Sequence, residues 1–479
     1  HGLSPQVKSR PQSLPQWRSM LLGNEPAAAA SQSKPAKPKV RSNRKGSGIG
    51  KIAAGIAILA AIGGGGLYLL QQNSLDSAEA DWAKTIKEDS LAAYDEFIRK
   101  HPDSPHREAA SSARRPFTQP WSRSVGTTGA EKANAVAISK DTILIAGATS
   151  TSGEYGVQAL VQAFSLAGRE KWRAEFGKNG SQIFHDLIIL PDGAIIAAGV
   201  TRSGTSSVDQ AYIVRMDASG NEKWAKTVDS GTGGGIFALE NGESGSVLAA
   251  GYTASGPNGN DDGWLVSLNG FGDKQWERIF GGPANDAFRS LAKLSGGELV
   301  LAGDRGNNFW LLKQASDGSS ILDRSPGGAS RDTFSAVIAP PDGQIVAVGQ
   351  TESFGTGTVD GMIMRLTEDG KMPPKVLAEA KDDHLTSVVI ADDGGILVAG
   401  YTSSRGAGQT DGWVRKYDSQ LNRVLWERVV GGAGWDTIQD MALLADNSIM
   451  LTGSTDSSGA GSSDVWLVRM GSDGQYAGN

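Results

Sequence analysis

The chain has 479 residues, 64 of them glycine, no cysteine, and a formal net charge of −6. That length leaves room for one large domain with accessories, and the missing cysteine excludes disulfides, thiolate metal sites and a cysteine nucleophile. The charge is unevenly spread: residues 1–51 carry ten Lys and Arg against the single acid Glu25, a net +9, and the remainder carries −15. Such a split points to two environments and argues against nucleic-acid binding by the acidic part.

The first stretch, residues 1–22, contains Ser4-Pro5, Arg10-Pro11-Gln12-Ser13, Trp17 and Leu21. It resembles the end of a protein kinase catalytic domain, where such a segment forms the last helices of the C-terminal lobe. The resemblance implies that Arg10 pairs with a glutamate near the activation segment and that Trp17 anchors the final helix. It further implies that the chain is the C-terminal part of a bacterial transmembrane Ser/Thr protein kinase. The Gly-rich loop, the strand lysine, the HRD-type loop and the DFG-type metal ligand are absent from these residues. No catalytic site and no cofactor are therefore expected within this chain.

Residues 23–51 read as a basic disordered linker on the cytoplasmic side, rich in Ala, Lys and Arg and too polar to build a core. Ile52–Leu70 is free of charge. As a helix it would span roughly 28 Å, close to the hydrocarbon thickness of about 30 Å. The expectation is a transmembrane helix contacting the lipid bilayer, with a cleaved signal peptide as the competing reading. Its basic N-terminal flank places residues 1–51 inside and the rest outside, in a bacterial inner membrane with the propeller in the periplasm. Ala53, Ala57, Ala61 and Gly65 form a small-residue stripe that would let two such helices approach closely, a possible homodimer.

From 74 to 115 the pattern turns helical, and a helical stalk is expected. Trp82 and Ile86 share one face, and Leu91, Tyr94, Phe97 and Ile98 make a second stripe. Pro102 ends that helix, and Asp103-Ser104-Pro105 starts another. Ala93–Ala110 resembles one helix-turn-helix unit of tetratricopeptide-like proteins.

Residues 117–479 repeat with a period of about 50. A glycine closing an "AG"-like dipeptide recurs at 147, 199, 251, 303, 349, 400 and 453. A bulky residue follows 13 positions later in six copies (Leu160, Tyr212, Trp264, Met362, Trp413, Trp466) and 7 later in the fourth (Trp310). Then come a turn glycine and, in three copies, Trp172, Trp224 or Trp276. Each unit holds four short apolar runs bounded by turn residues, which read as strands. Four strands repeated seven times predict an all-β fold, a seven-bladed β-propeller of four-stranded blades, preceded by the transmembrane helix and the stalk. A β-solenoid, or six or eight blades, are the alternatives. Trp121–Gly126 has the form of an outermost strand and is expected to complete the last blade, which lacks its own, so that the ring closes.

The rhythm Asp217-x-x-Gly220-x-x-x-Trp224 resembles the tryptophan-docking motif of quinoprotein-type propellers, implying a Trp packed between neighbouring blades. The five histidines have no metal-ligand spacing. The loop Asn258–Gly263 lacks the acid that a calcium loop needs at its twelfth position. Asp262, Asp360, Asp411 and Asp464 recur from unit to unit, as do Asp286, Asp332 and Asp436 in the Gly-Gly loops. Repetition of that kind marks turn and strand-start hydrogen bonding, and no metal is expected.

Binding should use positions where the copies differ. At the start of each inner strand these are Asn134, His185, Phe237, Arg289, Ser335, Thr386 and Gln439, a mixed polar ring at the mouth of a central channel. Loops on the same face carry Tyr155, Arg202, Phe354, Arg405 and Trp435. Asn134, His185, Arg289, Gln439, Arg405 and Trp435 are the candidate partner-binding residues, with unselected surface variation as the alternative. The expected function is a sensor or protein-interaction propeller of a receptor-type kinase, with an unknown protein or carbohydrate ligand on one face and no nucleic acid. A non-signalling envelope scaffold or carbohydrate-binding propeller is the rival, and an envelope enzyme the third reading.

Overall fold

The computed structural model describes residues 77–477, except 151–155, 178–179, 203–207, 229–232, 257–259, 295, 341–342, 367–370 and 378. The described residues form one compact unit. Among the described residues, twenty-eight strands, numbered in chain order, assemble into seven sheets, each of four antiparallel strands. Blade 1 consists of β2 (Ala130–Ser139), β3 (Thr142–Ser150), β4 (Gln158–Ser165) and β5 (Glu170–Phe176), ordered from the axis outward. The next five blades repeat that order. The last contains β26 (Asp436–Leu443), β27 (Ile449–Thr455) and β28 (Asp464–Met470), and its outer strand is β1, Trp121–Val125. Trp121 pairs with Arg469 and Val125 with Val465, so chain start and chain end share one sheet. The all-β seven-bladed propeller of four-stranded blades is thus observed, with closure by the N-terminal strand.

The second strand of every blade is apolar on both sides, because it packs between two neighbouring blades. In β3 the run from Ile143 to Thr149 is buried throughout. Outer strands are wet: in β13, Lys274–Phe280, no residue is fully buried.

Two repeated contacts join blade to blade. The outer-strand Trp of one blade lies under the last turn of the next, and Trp224 Nε1–H donates to the Gly270 carbonyl at 3.3 Å. Trp172 and Trp121 do the same to Ala218 and Leu166. The turn residue above the ring is a glycine with positive φ, +81° at Gly220 and +78° at Gly272. A β-carbon on Gly272 would stand 2.7 Å from the Trp224 ring. This is the packing that the docking-motif resemblance implies. Blade 5 has no such Trp in its outer strand, Pro374–Leu377. The turn that faces it in blade 6 holds Leu421 at φ +59° in place of glycine, with Lys375 Nζ donating to the Leu421 carbonyl.

The third-strand Trp is braced within its own blade: Trp264, Trp310 and Trp413 donate to Glu277, Asp323 and Glu427. The recurrent Asp residues other than Asp262 are turn acceptors. Asp332 takes the Gly328 N–H at 2.9 Å and the Thr351 and Ser353 hydroxyls at 2.5 and 2.8 Å.

Residues 77–88 are helical, followed by the helices Leu91–Lys100 and Arg107–Arg114. Ser90 caps the second of these by accepting the Ala93 N–H. Tyr94, Phe97, Ala110 and Phe117 bury against Ala167 of blade 1. Arg169 grips Asp89, and Arg469 donates to the carbonyls of Pro116 and Phe117. The helices therefore brace the two blades at which the ring closes.

The fold class expected from sequence is corrected in one respect: a membrane-spanning helix is not part of the described fold. Among the described residues no helix is long and apolar enough to cross a membrane. The helix Leu91–Lys100 has 10 residues, about 15 Å, and carries charge along its length. Ile52–Leu70, residues 1–22 and the linker 23–51 lie outside the described residues, as do the expectations attached to them.

Docking of Trp under glycine is testable by substitution. Gly272→Ala imposes both a left-handed alanine and a clash with Trp224, and should lower stability in urea denaturation by more than about 1 kcal/mol. Leu421→Gly, where no Trp docks, relieves about 1 kcal/mol of left-handed strain but deletes a side chain buried in the core shared by blades 5 and 6, a loss of about 2–5 kcal/mol. The net effect in urea denaturation should be a destabilisation of at least about 1 kcal/mol, packing outweighing the strain at this turn.

Candidate functional site

Every inner strand carries a β-bulge at the same place. The register slips between Ala133 and Ala135, Phe184 and Asp186, Ile236 and Ala238, Phe288 and Ser290, Phe334 and Ala336, Leu385 and Ser387, and Ile438 and Asp440. The skipped residues are Asn134, His185, Phe237, Arg289, Ser335, Thr386 and Gln439, one per blade. A bulged residue has no partner across the ladder, and the kink re-aims its side chain. All seven line one central cavity of about 430 Å³.

The recurrent glycine of the second strand is the other half of this device. Gly147 pairs with Ala133, Gly199 with Phe184 and Gly453 with Ile438, just before the bulge. A β-carbon on Gly147 would collide with the Lys132 carbonyl, on Gly199 with that of Ile183, and on Gly453 with that of Thr437. The strands approach too closely for any other residue.

A bulge also frees backbone groups, and neighbouring blades satisfy several of them. Asn134 Nδ2 donates to the Phe184 carbonyl at 2.7 Å, and Thr386 Oγ1 to that of Ile438 at 2.9 Å. The residue after the bulge accepts from the next blade. Asp186 takes the N–H groups of Leu187 and Leu239 at 2.7 Å each. Asp440 takes those of Val136 and Met441 at 2.9 and 2.8 Å and the Ser387 hydroxyl at 2.9 Å. Ser290 takes that of Val337. Two carboxylates in one channel resemble an acid–base pair, but their oxygens are committed to the backbone of the ring.

Burial sets the protonation of the cavity. Desolvation, partly offset by the Leu239 N–H, pushes Asp186 up to about 7. Desolvation pushes Asp440 up to about 6. His185 is driven down to about 4, first by desolvation and then by the positive charges of Lys132 and Arg289, so its ring is neutral near pH 7. That ring lies 4.9 Å from Phe237. The Arg289 guanidinium stacks 4.3 Å over the other side of the cluster on Phe237 and donates to Asp304 at 3.0 Å. Across the cavity, His384 stacks on Tyr401 and bonds Gln350. The walls enclosing the Lys132 amine lower its pKa by desolvation.

Four of the six candidates, Asn134, His185, Arg289 and Gln439, thus line the cavity. Asn134 spends its amide on the ring. Arg405 is elsewhere, held by Glu379 and Glu427. Trp435 sits in the loop before β26, beside Thr410, with its side chain 52% exposed. Arg202 pairs with Asp209, and Tyr155 lies outside the described residues. Sequence reasoning missed Asp186 and Asp440, which an acid within an apolar strand could have signalled. It also missed Lys132 and Arg331, which nothing in the repeat distinguishes.

No family model matches the chain, and no curated protein matches it. Among solved structures it is similar to the WD40 domain of Neurospora crassa Pan2, with 11% identity over 71% of this chain and 89% of that one and a TM-score of 0.45. It is also similar to Drosophila Plexin A in a complex with Semaphorin 1b, with 9% identity over 73% and 86% and a TM-score of 0.43. At these values neither likeness carries a functional argument, and the architecture stands on its strand pairing.

The raised carboxyls make a signed prediction. Asp186 has a folded pKa of about 7 against a reference of 3.8, so between those values the folded state holds a proton that the unfolded state has lost. Its contribution to stability is full at low pH and declines as pH rises through about 7. Asp186→Asn, which keeps one acceptor and no charge, should flatten the fall in melting temperature between about pH 4 and about pH 7.

Proposed function

We propose that this propeller is a docking platform that seats a partner protein on the face where the central channel opens. The observation that carries this is the division of labour within the repeat. Seven positions of one structural kind, the bulge residues, bear seven different side chains, while the glycine opposite each bulge is retained in every copy. A surface of that kind presents one shaped, non-repeating pattern in place of seven equal sites. The same face carries the side chains of Trp435, 52% exposed, and Phe354, 36% exposed. Large aromatic residues held out on ordered loops are typical anchors of protein interfaces. The opposite end of the blades is given to the outer turns, where Trp docking and the helices are placed. The receptor-kinase arrangement expected from residues 1–22 adds nothing to this reading, because those residues lie outside the described structure.

Photo-crosslinking tests the assignment of the face. A photoreactive phenylalanine analogue at Trp435 should give a discrete protein adduct in extract of the source cells. The same group at Phe271, exposed on an outer turn, should not. Phe354→Ala should reduce the Trp435 adduct. Adducts from Phe271 alone, or equal adducts from both sites, would rule the docking face out.

A further inference from the structure

Blade 4 departs from the others in a way that its core does not require. Its middle strands, Leu299–Arg305 and Asn308–Gln314, are joined by Gly306 and Asn307 alone. The matching connections in blades 5, 6 and 7 run over residues 352–359, 403–410 and 456–463. This is the origin of the shortened spacing in the fourth repeat, and it lowers the rim of the propeller at one point. A second cavity of about 460 Å³ occupies the gap and shares Phe237, Arg289 and Arg331 with the central one. Together they make a trough running from the channel outward over blade 4.

Charge is graded along that trough. Arg289 and Arg331 line it where the two cavities meet, and Lys132, two residues before the bulge residue Asn134 on the inner strand of blade 1, is close enough for its charge to act on His185 of the central cavity. Among the described residues neither Lys132 nor Arg331 forms a side-chain ion pair. The propeller around them is acidic as a whole, so this is a local cationic focus on a concave surface, where field lines are focused more than on an open one. At the outer end stands Asp261, partly desolvated and beside Asp209. Asp304 and Asp286 along the trough are already committed, the first to Arg289 and Thr333, the second to the N–H groups of Gly282 and Gly306.

We propose that this trough binds an extended polypeptide segment of a partner protein, with an acidic side chain seated among Lys132, Arg289 and Arg331 and the segment leaving through the gap over blade 4. The inference rests on the docking reading above and supplies its chemistry. A small anion would occupy the central cavity and have no use for the gap, whereas a peptide needs a way out past the rim. Asp261 at the exit disfavours a uniformly acidic segment and favours one whose acid is confined to the inner end.

Binding of labelled Gly/Ser peptides to the full chain, read by fluorescence anisotropy at low ionic strength, tests it. A peptide with a central Glu-Glu pair should bind and its Gln-Gln counterpart should not. Lys132→Gln and Arg331→Gln should each weaken the Glu-Glu peptide about tenfold, and Lys132→Arg should restore it. Inserting a copy of residues 403–410 between Gly306 and Asn307 should weaken it comparably, with the melting temperature unchanged. Equal affinity for both peptides, or wild-type affinity in the charge variants, would overturn the proposal. So would full displacement by inorganic phosphate with the insertion variant unaffected, the result for a small-anion site only. If the peptide fails while the Trp435 adduct still forms, the docking face stands and the trough assignment falls. If the peptide behaves as stated without that adduct, the wider docking face is what falls.

Discussion

The close approach of two strands, one contributing a glycine and the other a bulge, is the constraint on which the rest of this propeller depends. Gly147 and its counterparts have no β-carbon because the carbonyl two residues before the bulge occupies that space. The bulge in turn lifts one residue per blade out of the ladder and turns it toward the axis. A single local arrangement, repeated seven times, thus gives tight packing between first and second strands and a channel lined by side chains of free choice. Scaffold and binding surface share their geometry but not their residues.

The bulge has a consequence that couples the blades. Backbone groups freed from the ladder must find partners elsewhere, and the nearest are side chains of the adjacent inner strand. Asp186, Ser290, Ser387 and Asp440 supply acceptors, and Asn134 and Thr386 supply donors. The inner ring is therefore stitched by hydrogen bonds, while the outer ring is stitched by Trp under glycine. Between them lies the apolar second strand. The seam where β1 meets β28 receives added support from the helices, through Arg169 on Asp89 and Arg469 on the chain leading into β1. A ring closed by one non-covalent strand is opened most easily at that seam, and the helices sit against it.

Seating polar groups at the axis has an electrostatic cost that the cavity distributes unevenly. The buried acids are raised and the buried histidine lowered, so both are held toward neutrality. Lys132 and Arg331, by contrast, are exposed residues. Neutral groups sit where water is excluded and cations where it still enters, which is the arrangement that attracts an anion without burying an unpaired charge. The short hairpin of blade 4 then decides the direction from which a ligand longer than one side chain enters.

Much of this was legible in the residues taken alone. The period of about 50, the turn glycines and the short apolar runs point to repeated four-stranded sheets closed into a ring without exposed edges, and strand pairing in the folded chain fixed the number of blades at seven. Aligning the copies also picks out the variable positions Asn134, His185, Phe237, Arg289, Ser335, Thr386 and Gln439. The membrane-spanning helix included in the expected fold class was not found among the described residues, and apolar length alone could not settle it. Only the folded chain decided that the variable positions are bulges, because a bulge is a relation between two strands. Only the folded chain separated Arg289 and Gln439, which line the cavity, from Arg405, which two glutamates hold at the rim, since pairing depends on residues distant in sequence. Lys132, Arg331, Asp186 and Asp440 became visible as a set for the same reason: each belongs to a different repeat, and ring closure alone brings them to one axis.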